Sequence, residues 1–147
     1  MRAERSVELL LVEDDPRDEE MTLRALKSHR LANRVHVVRD GAEALDFLFG
    51  RGAYAERRLD DSPKVVLLDL KLPKVDGLEV LRRVRKDPRT AILPVVVLTS
   101  SREESDLVDS YRLGVNSYVV KPVEFNRFVE AVGELGLYWL LLNELPE

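Results

Sequence analysis

Apolar and polar positions along this chain fall into alternating blocks of two kinds. Short runs of branched apolar residues stand at Val7 to Val12, Val35 to Arg39, Lys64 to Leu68, Pro94 to Leu98 and Ser117 to Val120. They have strand length and little internal polar alternation, the pattern of strands buried on both faces. Between them lie longer stretches with helix-start signals. Asp15 precedes Pro16, an N-cap followed by proline at the first helical position, and opens a helix to about Leu31. Asp40 to Glu43, Asp76 to Glu79 and Ser101 to Glu104 have capping-box spacing. They predict helices ending near Phe49, Asp87 and Gly114. Gly50 to Pro63 is polar and charged and reads as a loop, and a last helix begins near Val123, after Lys121-Pro122 breaks the fifth strand.

Strands that alternate with helices imply parallel βαβ units with right-handed crossovers. The expectation is an α/β fold: a doubly wound, five-stranded parallel sheet in the order 2-1-3-4-5, with helices on both faces. A length of 147 residues fits one domain, with a core from about 7 to 135 and a C-terminal helical extension from about 136 to 147. The longest apolar run is too short to span a bilayer. Met1 to Arg5 carries an acid and leads into a strand, unlike a signal peptide. There is no cysteine, which removes disulfides, thiolate catalysis and cysteine-bound zinc. The default compartment is the cytoplasm. A net charge of −4 argues against broad nucleic-acid binding.

In such sheets ligands bind beyond the carboxyl ends of the strands. Strand one ends in Glu13-Asp14-Asp15, strand three in Asp69, strand four in Thr99-Ser100 and strand five in Lys121. Acids, a hydroxyl and an ammonium therefore converge on one edge, and the strand order puts strands one and three side by side. Crowded carboxylates repel, and a divalent cation offsets that repulsion. Oxygen donors without histidine or cysteine select Mg²⁺ or Mn²⁺ over zinc. Such a metal draws a phosphoryl group onto Asp69, a carboxylate able to form an acyl phosphate. Lys121 and Thr99 suit the oxygens of a phosphoryl in transfer.

This set resembles the response-regulator receiver domain of two-component signalling, a flavodoxin-like fold. The matching residues are Glu13-Asp14, Asp69 ahead of Leu72-Pro73 and Asp76-Gly77, Thr99, and Lys121-Pro122. The resemblance implies that Asp69 accepts phosphate from a sensor histidine kinase. It implies Mg²⁺ held by Asp14 directly, by Glu13 mostly through water, by Asp69 and by the Lys71 backbone carbonyl. Thr99 and Lys121 would bind the phosphoryl group, Tyr118 matches an aromatic position that swings inward on activation, and the bond before Pro122 would be cis. Such a protein is a phosphoacceptor that catalyses only its own phosphorylation and dephosphorylation. Lys71 departs from the smaller polar residues common at its position, and an altered dephosphorylation rate is expected.

Competing readings accompany several residues. Asp15 is read as an N-cap ahead of a third metal ligand, and Asp40 and Asp76 likewise as caps. His29, near a helix end, is read as a dipole partner, and neither it nor His36 has a metal-ligand companion. An alternative for Asp69 is the nucleophile of a small-molecule phosphotransferase or phosphatase. Such enzymes need a second acid near the nucleophile, and position 71 is lysine. The segment Leu135 to Leu142 is uncharged and apolar all round. It predicts a homodimer through the last helix and tail, with Tyr138, Trp139 and Leu142 at the contact. This tail and the Gly50 to Pro63 loop resemble the single-domain response regulators that partner bacterial phytochrome histidine kinases.

Overall fold

The computed structural model describes residues 9–28, 35–57 and 62–121, together with Asn126, Arg127 and Glu130. Five parallel strands form one sheet in the order β2-β1-β3-β4-β5. They are β1 (Leu9–Val12), β2 (Val35–Val38), β3 (Val65–Leu68), β4 (Val95–Thr99) and β5 (Ser117–Val120). Between them run α1 (Pro16–Ser28), α2 (Gly41–Phe49), α3 (Gly77–Lys86) and α4 (Glu104–Arg112). The expected order and alternation are both present. Every residue of β1, β3 and β4 is buried, as their unbroken apolar runs require.

Side chains alternate between the two faces. Leu10, Val12, Val66, Leu68, Val95 and Val97 join one apolar cluster with α2 and α3 through Leu45, Leu48, Leu81 and Val84. Leu9, Leu11, Val65, Leu67, Val96 and Leu98 join the other with Leu26 of α1. The register sets Val12 beside Leu68 and Thr99 beside Val120. The residues that follow these pairs, Glu13, Asp69 and Lys121, thus leave the sheet at the same edge.

Helix starts divide into those the local sequence predicts and those tertiary contacts alter. Asp15 caps α1, its Oδ1 accepting the N–H of Arg17 at 2.8 Å. Asp40 caps α2, accepting the Glu43 N–H at 2.7 Å, while Glu43 accepts the N–H of Arg39 at 3.1 Å. The other two boxes do not close. Asp76 stands at the N-cap of α3 without a side-chain cap bond, and the Glu79 carboxylate pairs with Arg82 and Arg83. Helix α4 starts at Glu104, three residues past Ser101. The Ser101 hydroxyl donates to Asp106 Oδ2 at 2.6 Å and accepts the Glu103 N–H at 3.3 Å, just ahead of the helix.

The segment after α2 contains a short 3₁₀ turn, Gly52–Tyr54. Tyr54 donates to Glu43 Oε2 at 2.7 Å and lies 2.9 Å from His36 Nε2. His36 stacks on Phe47, and burial lowers its pKa. This histidine anchors a loop. Two glycines allow close packing around the β3–α3 turn. A Cβ at Gly41 would collide with the Val75 carbonyl, and one at Gly77 with the Asp69 carbonyl and the Leu70 backbone. Position 77 therefore lets the first turn of α3 sit directly against the segment that carries Asp69. Pro122, His29, most of the segment where a last helix is expected, and the tail with Tyr138, Trp139 and Leu142 lie outside the described residues.

Candidate functional site

Asp69 is the first residue past β3. Its N–H donates to the Val12 carbonyl at 3.1 Å, extending the β1–β3 ladder by one rung. Its Oδ1 accepts the N–H of Lys71 at 3.1 Å. That Asx-type bond turns the chain away from the sheet, and Gly77 N–H closes the turn on the Leu70 carbonyl at 2.9 Å. Glu13 leaves β1 in the same way, its N–H donating to the Val38 carbonyl at 3.0 Å. Among the described residues, carboxylate oxygens of Glu13, Asp14 and Asp69 come within 4.8 Å of one another. Glu13 and Asp69 are buried and Asp14 is exposed.

Lys121 holds these acids together. Its buried ammonium lies 2.8 Å from Glu13 Oε1, 3.0 Å from Asp69 Oδ2 and 2.7 Å from Asp18 Oδ2. Burial works against its charge, but hydrogen bonds to Asp18 and Glu13 and the charge of Asp69 outweigh that and raise its pKa above the usual lysine value. Burial, joined by the Asp69 charge, pushes the Glu13 carboxyl up to about 7, against the pull of Lys121. One ammonium therefore does not satisfy this set of acids. Its donors are all carboxylate oxygens, two of the acids are buried, and the cluster keeps excess negative charge. A hard divalent cation fits that description.

Thr99 ends β4, fully buried. Its Oγ1 accepts the Ser101 N–H at 3.3 Å, and its carbonyl accepts the Lys121 N–H at 2.8 Å. Tyr118 is turned inward and donates its hydroxyl to the Ser101 carbonyl at 3.1 Å, and burial raises its pKa. Lys71 extends its side chain toward α4, with Nζ 3.4 Å from Asp106 Oδ2.

Glu13, Asp14, Asp69 and Lys121 are thus brought together, with Thr99 and Tyr118 on the neighbouring strands. Sequence reasoning missed Asp18. Its signal was present, since an acid three residues past the Asp15 cap stands at the capping-box position; its side chain turns to Lys121 instead. Ser101 and Asp106 were missed as partners because their contact joins a loop to a helix whose start the sequence misplaced.

The family model for the response regulator receiver domain matches residues 9–133. The chain belongs to the response-regulator receiver family. Rcp1, a response regulator of Synechocystis sp., is 37% identical over 138 residues, covering 94% of this chain and 92% of its own. The solved structure of the Mn²⁺-bound form of Rcp1 covers 97% of this chain and 99% of its own, with a TM-score of 0.77 and 37% identity. The bacteriophytochrome response regulator RtBRR is 58% identical with a TM-score of 0.83, covering 96% of this chain and 84% of its own. AtBRR, another bacteriophytochrome response regulator, is 60% identical with a TM-score of 0.80, covering 95% and 99%. The edge described above is the corresponding edge of a receiver domain.

Proposed function

We propose that this receiver domain accepts a phosphoryl group on Asp69 from the phosphohistidine of a bacteriophytochrome-type sensor kinase. One observation carries the reading. A strand-end carboxylate faces a buried ammonium and lies within reach of two further acids, at the ligand-binding edge of a receiver fold. An Asp69 carboxylate oxygen attacks phosphorus as the phosphorus–nitrogen bond of the donor breaks, giving an acyl phosphate and a neutral histidine. Attack by water later returns phosphate and the free carboxylate. Lys121, already 3.0 Å from Asp69 Oδ2, neutralises charge on the transferred group, and the Thr99 hydroxyl donates to it. The Lys71 N–H fixes the rotamer of the attacking carboxylate.

Glu13, Asp14, Asp69 and the Lys71 carbonyl would hold Mg²⁺. When bound, the ion neutralises charge on the carboxylates and the phosphoryl oxygens. The protein then catalyses only its own phosphorylation and dephosphorylation. The reading as a small-molecule phosphatase lacks a general acid, because position 71 carries an ammonium paired with Asp106. The phosphorylated state draws Thr99 and its loop inward and biases α4 and β5.

The test is transfer from an autophosphorylated bacteriophytochrome kinase, or from acetyl phosphate with Mg²⁺, followed by intact mass. One labile phosphate, absent from Asp69→Asn, is expected. Unchanged labelling of Asp69→Asn, or turnover of a small phosphoester, would overturn the reading. The uncharged run from Leu135 to Leu142 also supports a homodimer through the last helix and tail. Trp139→Glu should then give monomers in sedimentation, and a wild type that is monomeric at high concentration would end that part.

A further inference from the structure

The route from the phosphoacceptor to α4 runs through atoms that are all in contact. The Lys71 N–H donates to Asp69 Oδ1 at 3.1 Å, so the lysine side chain begins beside the acceptor. Its ammonium ends 3.4 Å from Asp106 Oδ2, in the first turn of α4. The same Asp106 oxygen accepts the Ser101 hydroxyl at 2.6 Å, a buried, charge-assisted bond. Ser101 Oγ also accepts the Glu103 N–H at 3.3 Å. The Ser101 backbone holds the two groups at the ends of β4 and β5: its N–H donates to Thr99 Oγ1 and its carbonyl accepts the Tyr118 hydroxyl. Asp106 therefore fixes Ser101, and Ser101 fixes both Thr99 and Tyr118.

The two halves of this chain differ in strength. The Ser101–Asp106 bond is buried and short. The Lys71–Asp106 pair is longer, and the Lys71 side chain is 53% exposed, the geometry of a weak surface pair. Lys71 is the mobile member. Phosphorylation converts the Asp69 carboxylate to an acyl phosphate of about two negative charges with more acceptor oxygens, a stronger partner for an ammonium than the single carboxylate of Asp106, which Ser101 already shares. Resting on the phosphoacceptor reading above, we propose that Lys71 is an exchangeable latch. In the unphosphorylated protein it pairs with Asp106, which holds Ser101 against the first turn of α4. On phosphorylation the ammonium transfers to the phosphoryl oxygens and leaves Asp106 with a single partner, loosening the first turn of α4. Lys71 and Asp106 are positioning residues in this scheme, and Asp106 competes with the phosphoryl group for one cation.

Competition has a signature that a structural role lacks. Binding of beryllofluoride with Mg²⁺, followed by ¹⁹F NMR, reads affinity for a phosphoryl mimic in wild type, Lys71→Gln, Asp106→Asn and the double variant. Asn at 106 keeps an acceptor for Ser101, and Lys71→Gln alters an exposed side chain in a folded protein. Asp106→Asn should tighten binding about fivefold or more, and Lys71→Gln should weaken it about as much, the low end of ordinary coupling between sites. In the Lys71→Gln background the Asp106 substitution should change affinity less than about twofold, because no cation is left to compete for. Loss of a nearby negative charge alone would tighten binding equally in both backgrounds, and that additive result overturns the latch. So does an unchanged affinity in Lys71→Gln. If wild type binds no beryllofluoride and takes no phosphate, the phosphoacceptor reading itself falls, and the latch with it.

Discussion

Removing the Lys121 ammonium tests whether it holds the acidic cluster together. Lys121→Met keeps the length of the side chain and deletes its charge. Breaking a buried ion pair by removing one partner costs about 3–5 kcal/mol. The contact to Asp18, whose side chain is 29% exposed, adds at most about 1 kcal/mol. The main loss falls on Glu13 and Asp69, whose side chains are 2% and 6% exposed. Glu13 can escape part of it by taking a proton. Its carboxyl is raised from 4.5 to about 7, so the folded protein binds a proton there that the unfolded chain has released. This group's contribution to stability therefore falls as pH rises from 4.5 to about 7 and is constant above. Without Lys121 the folded carboxyl rises further, the fall continues beyond neutrality, and the deficit of the variant grows with pH. We expect a deficit of about 3 kcal/mol near pH 8 in chelator. Near pH 6 it should be smaller by roughly 1 kcal/mol, since one pKa unit corresponds to about 1.4 kcal/mol. Urea unfolding followed by far-UV circular dichroism reads this directly, as a midpoint shift of about 1–3 M at the higher pH. Added Mg²⁺ should narrow the gap. A deficit below about 0.5 kcal/mol, or one that shrinks as pH rises, would refute the reasoning.

Other substitutions probe the frame around the site. Gly77→Ala should cost about 1–3 kcal/mol from overpacking against the Asp69 carbonyl and slow phosphorylation, although alanine favours helices; a stabilised variant in thermal unfolding would contradict this. Arg85 donates to the carbonyls of Ala91, Leu93, Leu113 and Gly114. Arg85→Met should lower stability by about 1–3 kcal/mol through three part-buried carbonyls that lose their donor while leaving phosphate uptake intact, read by urea unfolding beside intact mass. The Ser110 hydroxyl is buried in α4 without a hydrogen-bond partner among the described residues. Ser110→Ala should therefore raise stability by about 1 kcal/mol, and a loss of stability would show that the hydroxyl has a role.

The sheet was legible in the sequence because its strands are buried on both faces and so read as unbroken Val and Leu runs. Strand order and the convergence of Glu13, Asp14, Asp69, Thr99 and Lys121 on one edge followed from that alternation. Helix starts were legible only where local chemistry decides them. Asp15 and Asp40 cap their helices through one carboxylate oxygen, and the Lys74 ammonium near the other oxygen of Asp40 leaves that cap in place. Ser101 has the right spacing for a cap, yet its hydroxyl accepts the Glu103 N–H ahead of the helix and donates to Asp106 within it. Glu79 has the right spacing for a box, yet two arginines one turn on take it. Asp18 shows the same limit at the site, since its place in α1 is local and its bond to Lys121 spans 103 positions. Periodicity reports which face is buried and says little about which of several polar partners a side chain chooses.

The central claim is that Asp69 forms the acyl phosphate. Borohydride reduction after treatment with acetyl phosphate and Mg²⁺ converts an aspartyl phosphate to homoserine, and peptide mass spectrometry locates it. The account predicts homoserine at residue 69 and at no other acid of the cluster. Homoserine at position 14, hydroxynorvaline (the reduced glutamyl phosphate) at position 13, or a phosphate that survives reduction on a serine or threonine, would contradict it.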